Sequence, residues 1–322
     1  MRSYFCILTL LTVAGCAGGA SPLGSPSDAR ADRHTTAAEA TPPPNCGKYG
    51  ACSVLACFGY ICFAFTTEGS VQAELTSGIV NAQGVATDHH GNAYIADTGS
   101  SKVFEYGPLF TPLIKTYQDP KQVPLDLDVD ATNELLAVSN KSTTNGGPGS
   151  VSVYAGGSLK PTGTLTDPAV PNAQGIGIAI DRSDNCFWSL YDATSGVSKI
   201  DEFSGCAGSP IAIVSGKHSL AGMAFDKRNN LFYIVDVNTT HHDIFKCKGT
   251  TECRPLATHF FEPVMINFDN RWGFLWVDDA GVLEGPLIES INPKNGHVIS
   301  SFRAGSTTDP PFGIAHAPGP QF

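Results

Sequence analysis

Four oxygen-bearing side chains could gather around one cation. Asp126, Asp128 and Asn267 stand where a recurring five-residue pattern otherwise has Gly or Ala, and Glu262 lies just before one copy of that pattern. Carboxylate and amide oxygens are the ligands that hard divalent cations prefer. A cation held in this way would support metal-assisted hydrolysis. The alternative is that these groups hydrogen-bond neighbouring backbone or water, because structural networks also contain ionisable residues.

A second group, His241-His242-Asp243, has the residue types of a metal site. Adjacent residues on a strand point to opposite faces, and the trio follows a polar run at 238–240 that is typical of a turn. We therefore interpret it as a solvated loop. The sequence also lacks the nucleophile-elbow, zinc-protease, phosphate-loop and dinucleotide motifs. It contains no catalytic set that we can assemble, and it favours a protein without enzymatic activity.

The positions of the oxygen groups depend on a repeat. The five-residue pattern has small residues mainly at positions one and three and apolar residues at position two and mostly at four, and five of its six copies end in Asp. This alternation is typical of a strand, and the final Asp can bond backbone N–H groups of a following turn. The copies start 42 to 51 residues apart, a period typical of propeller blades. They occupy 84–88, 126–130, 177–181, 222–226, 265–269 and 313–317.

Three further strand-like runs follow each of the first five copies, and the fourth strand of four units begins at a proline, as an outer edge tolerates. The sixth copy has only its inner strand, while three strand-like runs at 51–57, 60–66 and 71–76 precede the first copy. One C-terminal and three N-terminal strands would complete a last blade and remove the open ends of the ring. The sequence therefore predicts an all-β fold, a six-bladed β-propeller of four-stranded blades over 46–322.

The repeats resemble those of NHL-type propellers, most closely at 84–88, 91–97 and 101–103. The resemblance covers 51–317 at the level of architecture, and it implies the propeller fold while leaving the function open. Bacterial lipoproteins carry such repeats, so the resemblance also implies a protein of the cell envelope.

Gluconolactonase and paraoxonase type lactonases share this architecture more distantly and hold a metal in the central channel. Their ligands include Asn or Asp just before the Gly of an inner strand. Here the corresponding positions carry Gln83, Leu125, Ile176, Ala221, Val264 and Phe312. The ligand set of the lactonases therefore cannot be transferred to this chain.

The first residues have the features of an export signal. Arg2 precedes an apolar run at 4–14 that is too short to span a bilayer. The run ends in Val13-Ala14-Gly15-Cys16, which resembles a bacterial lipobox; an ordinary signal peptide with a chance cysteine is the alternative. We predict a signal peptide at 1–15, and a lipid anchor at Cys16 followed by a disordered tether to residue 45.

Cysteine usage agrees with export. Of ten cysteines, Cys6 lies in the signal and Cys16 at the anchor, which leaves an even number for disulfides. We expect pairing between Cys186 and Cys206 and between Cys247 and Cys253. The other four cluster where the N-terminal strands would close the ring, and their connectivity is open; a soft-metal site is the less favoured alternative. These four are Cys46, Cys52, Cys57 and Cys62.

The charge balance, 20 Lys and Arg against 30 Asp and Glu, argues against a nucleic-acid partner. The leading hypothesis is a monomeric binding module, lipid-anchored in the outer membrane or at the cell surface, that contacts a protein, peptide or glycan. One rival is a metal-dependent lactonase-like or esterase-like hydrolase with a channel site. Another is an envelope structural protein. No cofactor is predicted, apart from a divalent cation in the hydrolase alternative.

Overall fold

The computed structural model describes residues 53–130, 132, 134–216, 218–238, 241–269, 273–280, 286–304 and 312–317. All of them belong to the second of two units of the chain, Asn45–Phe322. The predicted signal peptide, anchor and tether lie outside the described residues, as do Cys16, Cys46 and Cys52. In the described part, no helix is long and apolar enough to cross a membrane.

The described chain forms six four-stranded antiparallel sheets, each a blade. Blade 1 contains β4 (Ala82–Thr87), β5 (Ala93–Asp97), β6 (Lys102–Tyr106) and β7 (Leu113–Gln118). Blade 2 contains β8 (Gln122–Val129), β9 (Leu135–Thr143), β10 (Ser150–Ala155) and β11 (Gly163–Leu165). Blade 3 contains β12 (Gln174–Ile180), β13 (Cys186–Asp192), β14 (Val197–Phe203) and β15 (Ile211–Gly216).

Blade 4 contains β16 (Ser219–Phe225), β17 (Leu231–Asn238), β18 (His241–Lys248) and β19 (Thr251–Phe260). Blade 5 contains β20 (Pro263–Asp269), β21 (Phe274–Asp279), β22 (Leu287–Ile291) and β23 (Val298–Arg303). Blade 6 combines β24 (Gly313–Ala317) with β1 (Ser53–Cys57), β2 (Cys62–Phe65) and β3 (Val71–Leu75), in the order β24-β1-β2-β3. The prediction of an all-β, six-bladed propeller is confirmed, including its closing blade.

The inner strands β4, β8, β12, β16, β20 and β24 contact one another in ring order, with β24 returning to β4. Glycine at position one of the pattern permits this approach. A Cβ on Gly222 would lie 2.7 Å from Met265 Cα, and one on Gly84 would lie 2.6 Å from Asp126 Cα, both on the next blade. Such contacts are closer than a side chain can accept, so small residues are required where the blades converge.

The hydrophobic core lies between the blades. Trp188 of β13 is fully buried and packs in one cluster with Ala137 and Val151 of blade 2. Trp276 of β21 is 2% exposed and shares a cluster with Ile314 of blade 6 and Val54 of β1. The tryptophans of these second strands are therefore buried against the neighbouring blade.

Closure of the ring is made by β1, which pairs antiparallel with β24 from Ser53 opposite Ala317 to Cys57 opposite Gly313. Disulfides are present, as the cysteine count indicates. Cys57 is bonded to Cys62 across β1 and β2.

Two other disulfides lie within single blades. One joins Cys186 to Cys206 in blade 3, and the other joins Cys247 to Cys253 in blade 4. The first joins the start of β13 to the turn just after β14, and the second joins β18 to β19 near the turn between them.

Two local expectations require correction. His241-His242-Asp243 was expected in a solvated loop, but these residues open β18, where His242 pairs with Asp236 and Asp243 with Val235. The strand begins earlier because its partner β17 continues to Asn238 and supplies a pairing edge. The second concerns Pro255, one of the four prolines expected to begin a fourth strand, which lies within β19 instead. An outer edge tolerates its missing N–H.

Candidate functional site

A cavity of about 370 Å³ lies on the propeller axis, at the carboxyl ends of the inner strands. Five aspartates, one from each of blades 1 to 5, surround its mouth: Asp88, Asp130, Asp181, Asp226 and Asp269. They are the last residues of the five-residue pattern. The wall below them contains Asp126, Asp128, Asn267 and His316.

The mouth aspartates are held by the turns that follow them. Oδ1 of Asp226 accepts hydrogen bonds from the N–H groups of Arg228 at 2.8 Å and Asn230 at 2.9 Å. Its Oδ2 accepts from Asn230 Nδ2 at 2.8 Å. Asp88 and Asp181 make the same contacts with the residues two and four positions ahead. The turn role that the sequence suggests for this position is therefore present, and it fixes the carboxylates around the mouth.

Asp126 and Asp128 lie between blades 2 and 3. Oδ2 of Asp126 accepts a hydrogen bond from Ile178 N at 2.9 Å, and Oδ2 of Asp128 accepts one from Ile180 N at 2.7 Å. The two N–H groups belong to β12, the inner strand of the next blade. Both carboxylates therefore take the alternative role that the sequence left open, which is bonding to neighbouring backbone.

The two carboxyl groups have unusual acidities because they are buried. Burial raises the pKa of Asp126 to about 7, opposed by its hydrogen bonds to Ile178 and Leu127. Burial also raises the pKa of Asp128 to about 7, and the bonds from Ile180 and Val129 oppose the rise. A shift of this kind marks negative charge that its surroundings do not fully compensate.

Asn267 and Glu262 lie towards opposite ends of β20. Asn267 lines the cavity, and its Oδ1 accepts a hydrogen bond from His316 N at 3.3 Å, again on the next blade. Glu262 precedes the other end of the strand, where its N–H donates to Oδ1 of Asp279 at 2.8 Å. The structure therefore brings Asp126, Asp128 and Asn267 to one cavity wall and leaves Glu262 out of it. Across the described residues, no three His, Cys, Asp or Glu side chains are grouped as metal ligands.

Two buried polar groups were not identified from the sequence: His316, which lines the cavity, and Asp278, on the same blade as Asn267. His316 on β24 is buried, with Nε2 at 3.4 Å from Oδ2 of Asp269 and its ring parallel to that of Trp276. Asp278 on β21 is fully buried, and its Oδ1 accepts from Val264 N at 3.1 Å and Met265 N at 2.5 Å. His316 departs from the apolar residue usual at position four, which is a signal that could have identified it.

No family model matches the chain, and no curated protein matches its sequence. Solved structures match its fold. A chain of the nidogen–laminin complex is 14% identical with a TM-score of 0.63, covering 83% of this chain and 98% of that one. Kuenenia stuttgartiensis hydrazine synthase is 11% identical with a TM-score of 0.57 over 81% of this chain and 84% of that one.

Luciferin-regenerating enzyme is 16% identical with a TM-score of 0.51, covering 70% of this chain and 77% of that one. These proteins differ widely in what their names describe, and identities this low show the fold alone. The class of this protein is therefore the six-bladed β-propeller, and its function has to be argued from the cavity.

Proposed function

We propose that the protein is a membrane-tethered binding module whose axial cavity receives a positively charged group of a protein or peptide partner. The observation that carries the proposal is the charge of the wall. Seven aspartates line the cavity, against two permanent cations, Arg182 and Lys227. A concave site lined by one sign of charge concentrates the field and attracts the opposite charge.

The geometry of the mouth supports binding because its carboxylates are fixed before a ligand arrives. Asp181 and Asp226 are each held by backbone N–H groups of their own turns. Asn229 Nδ2 also donates to Asp181 Oδ2 at 2.9 Å, which links the turns of blades 3 and 4 at the mouth of the cavity. A preorganised site loses less entropy when it binds.

The remainder of the proposal concerns where the module is placed. The lipobox-like Val13-Ala14-Gly15-Cys16 and the polar segment after it support export and a lipid anchor in the outer membrane or at the cell surface. The NHL-type character of the repeats supports membership of the envelope lipoproteins that carry such repeats.

A lactonase-like or esterase-like hydrolase is less well supported. Asp126, Asp128 and Asn267 each accept a backbone hydrogen bond from a neighbouring blade, and Glu262 does not line the cavity. Metal-assisted hydrolysis needs several oxygen ligands converging on one cation. We therefore place the hydrolase and the purely structural envelope protein second.

The test is calorimetric titration of the full chain with hexalysine and, separately, hexaglutamate at low ionic strength. We expect saturable binding of hexalysine alone. The double variant Asp181→Asn/Asp226→Asn should weaken it by about tenfold or more, since each amide oxygen still accepts the turn N–H groups while the charge is removed.

Asp192→Asn is the matched control. Asp192 is also a buried turn carboxylate, bonded to Thr194 N at 2.8 Å, but it lies at the end of β13 away from the cavity. Unchanged affinity in this control is expected. Equal loss in the control and the double variant, or no saturable binding of hexalysine, would remove the acidic cavity as the binding site.

A further inference from the structure

A cluster of positive charge lies on the outer half of blade 4, apart from the axial cavity. Lys246 on β18 is directly opposite Arg254 on β19 in the register of the two strands. Residues that are opposite each other on paired strands share one face of the sheet, and like charges in this arrangement are destabilising. The sheet therefore keeps two cations together in an arrangement that is unfavourable unless an anion lies nearby.

The turn between β22 and β23 of blade 5 adds a third cation. Lys246 Nζ donates a hydrogen bond to Pro293 O at 2.8 Å, and Lys294 is the next residue of that turn. The same turn packs tightly against β19, because a Cβ on Gly296 would overlap Leu256 O. Lys294 is therefore near the two cations of blade 4.

The ammonium group of Lys246 is fixed in place. It lies over the ring of Phe232, with Nζ at 5.1 Å from the ring centroid, in addition to its bond to Pro293 O. An ammonium group has three donors, and a single hydrogen bond uses one of them. Lys246 therefore presents donors in a defined position between the two blades.

Carboxylates do not neutralise this cluster. Within the described part of the chain, the ion pairs involve Lys115, Lys199 and His316, and none involves the three cations of the cluster. Burial lowers the pKa of Lys246, and the charges of three nearby cations lower it further against the opposing effect of Asp226. These three cations are Arg254, Arg228 and Lys294.

A disulfide holds the two cations of blade 4 in register. It joins Cys247, directly after Lys246, to Cys253, directly before Arg254. The cross-link restricts the relative movement of the two strands where the cations lie, and a preorganised site loses less entropy when it binds. Glu252 beside the disulfide is exposed and forms no ion pair with Arg254 in the described chain.

We propose that Lys246, Arg254 and Lys294 form a binding site for a phosphate group between blades 4 and 5. A phosphate monoester has between one and two negative charges and three strong acceptor oxygens. The guanidinium of Arg254 can donate two parallel hydrogen bonds to such a group, and the two lysines supply compact positive charges. The site goes beyond the binding of a cationic partner, because it is formed by outer strands and a turn, whereas inner strands line the axial cavity.

The first experiment is calorimetric titration of the full chain with sodium phosphate, compared with sodium chloride at equal ionic strength. We expect saturable binding of phosphate alone. Arg254→Gln and Lys294→Gln should each weaken it by about tenfold, since each removes one charge-assisted contact. Both side chains are exposed, so neither variant disturbs the packing of the blades. Lys160→Gln is the matched control, because Lys160 is an exposed cation on blade 2 and should not affect binding.

A second arm distinguishes a soluble phosphorylated ligand from a lipid headgroup. Cosedimentation is measured with phosphatidylcholine vesicles, with and without phosphatidic acid. The chain carries Cys16→Ser in this arm, so that the predicted lipid anchor makes no contribution. Saturable binding of inorganic phosphate supports a soluble ligand, and binding that is seen only with phosphatidic acid supports a headgroup.

Two results would overturn the proposal. One is the absence of saturable binding in both arms. The other is an equal loss of affinity in Arg254→Gln and Lys160→Gln, which would show that phosphate responds to the overall charge and not to this cluster. Neither result bears on hexalysine binding, which tests the axial cavity.

Discussion

Oδ2 of Asp128 accepts a hydrogen bond of 2.7 Å from the N–H of Ile180, 52 residues further along the chain and on the next blade. Asp126 has the same relationship with Ile178. Inner strands of different blades belong to different sheets, so their main chains do not pair. The two side chains supply bonds across this gap, which explains why polar residues replace Gly and Ala in the second copy of the repeat.

The first prediction concerns these hydrogen bonds between blades 2 and 3. Asp128→Asn should be more stable than Asp128→Ala by about 1–3 kcal/mol, because the amide still accepts from Ile180 N while alanine leaves that donor unsatisfied. Urea unfolding of both variants at one pH measures the difference. Equal stability of the two variants would show that the hydrogen bond to Ile180 contributes nothing to the free energy of unfolding.

The second prediction concerns the approach of the blades. Gly222→Ala should lower stability by about 1–3 kcal/mol, since its Cβ would lie 2.7 Å from Met265 Cα. Gly163→Ala on the outer strand β11 is the matched control, because its Cβ would be 3.8 Å from Val153 Cβ, an ordinary contact. Thermal unfolding compares them. A tolerated alanine at position 222 would mean that the inner strands can separate freely.

The third prediction tests ring closure. Removing residues 307–322 deletes β24 and exposes the edge of β1, which is otherwise paired along its whole length. We expect loss of cooperative unfolding, as an open ring keeps two free edges. Calorimetry of the truncated and intact chains decides the question, and identical transitions would contradict the role assigned to β24.

The fourth prediction is a pH dependence at Asp119. Burial raises the pKa of this carboxyl to about 6 from 3.8, opposed by hydrogen bonds to Ser152, Asn140 and Tyr154. A raised folded-state pKa gives stability that is fully present below pH 3.8 and is lost as pH rises through 6. The loss amounts to about 3 kcal/mol by pH 8.

Asp119→Asn should remove this contribution. Chemical unfolding at a series of pH values from 4 to 8 should give a smaller decline for the variant than for the parent chain. The difference between the two curves isolates Asp119 from other buried carboxylates. Parallel curves would show that Asp119 titrates alike in the folded and unfolded states.

The fifth prediction concerns the anchor. Cys16→Ser should abolish lipid attachment and release the protein from the membrane fraction, because the serine cannot accept the lipid. Metabolic labelling with a radioactive fatty acid and fractionation of an expressing bacterium measure both effects. An unlabelled parent chain would assign the first residues to an ordinary signal peptide.

The blade count could be derived from the sequence because it rests on a local pattern repeated six times. Glycine at position one is dictated by contact with the next blade, as at Gly84 and Gly222. The terminal strands complete one sheet for the same reason, since five full units and two fragments leave no other arrangement that pairs β1.

The details of the site could not be derived in the same way. Glu262 is adjacent to an inner strand in sequence, yet it precedes the end opposite the cavity. Asp278 lies in a run typical of a second strand, and nothing local reveals that its carboxylate accepts the N–H groups of Val264 and Met265 on the inner strand. Such relationships depend on how the strands pack together in the folded chain.

The pairing of Ser53 with Ala317 affects the order in which the ring can fold. All five residues of β1 are buried, and its partner β24 is synthesised after every other strand. A chain synthesised from its N-terminus therefore cannot close the ring before β24 has been made. Contacts this distant in sequence also form slowly. Until then the edge of β1 that β24 covers has no partner, and the sixth blade is incomplete.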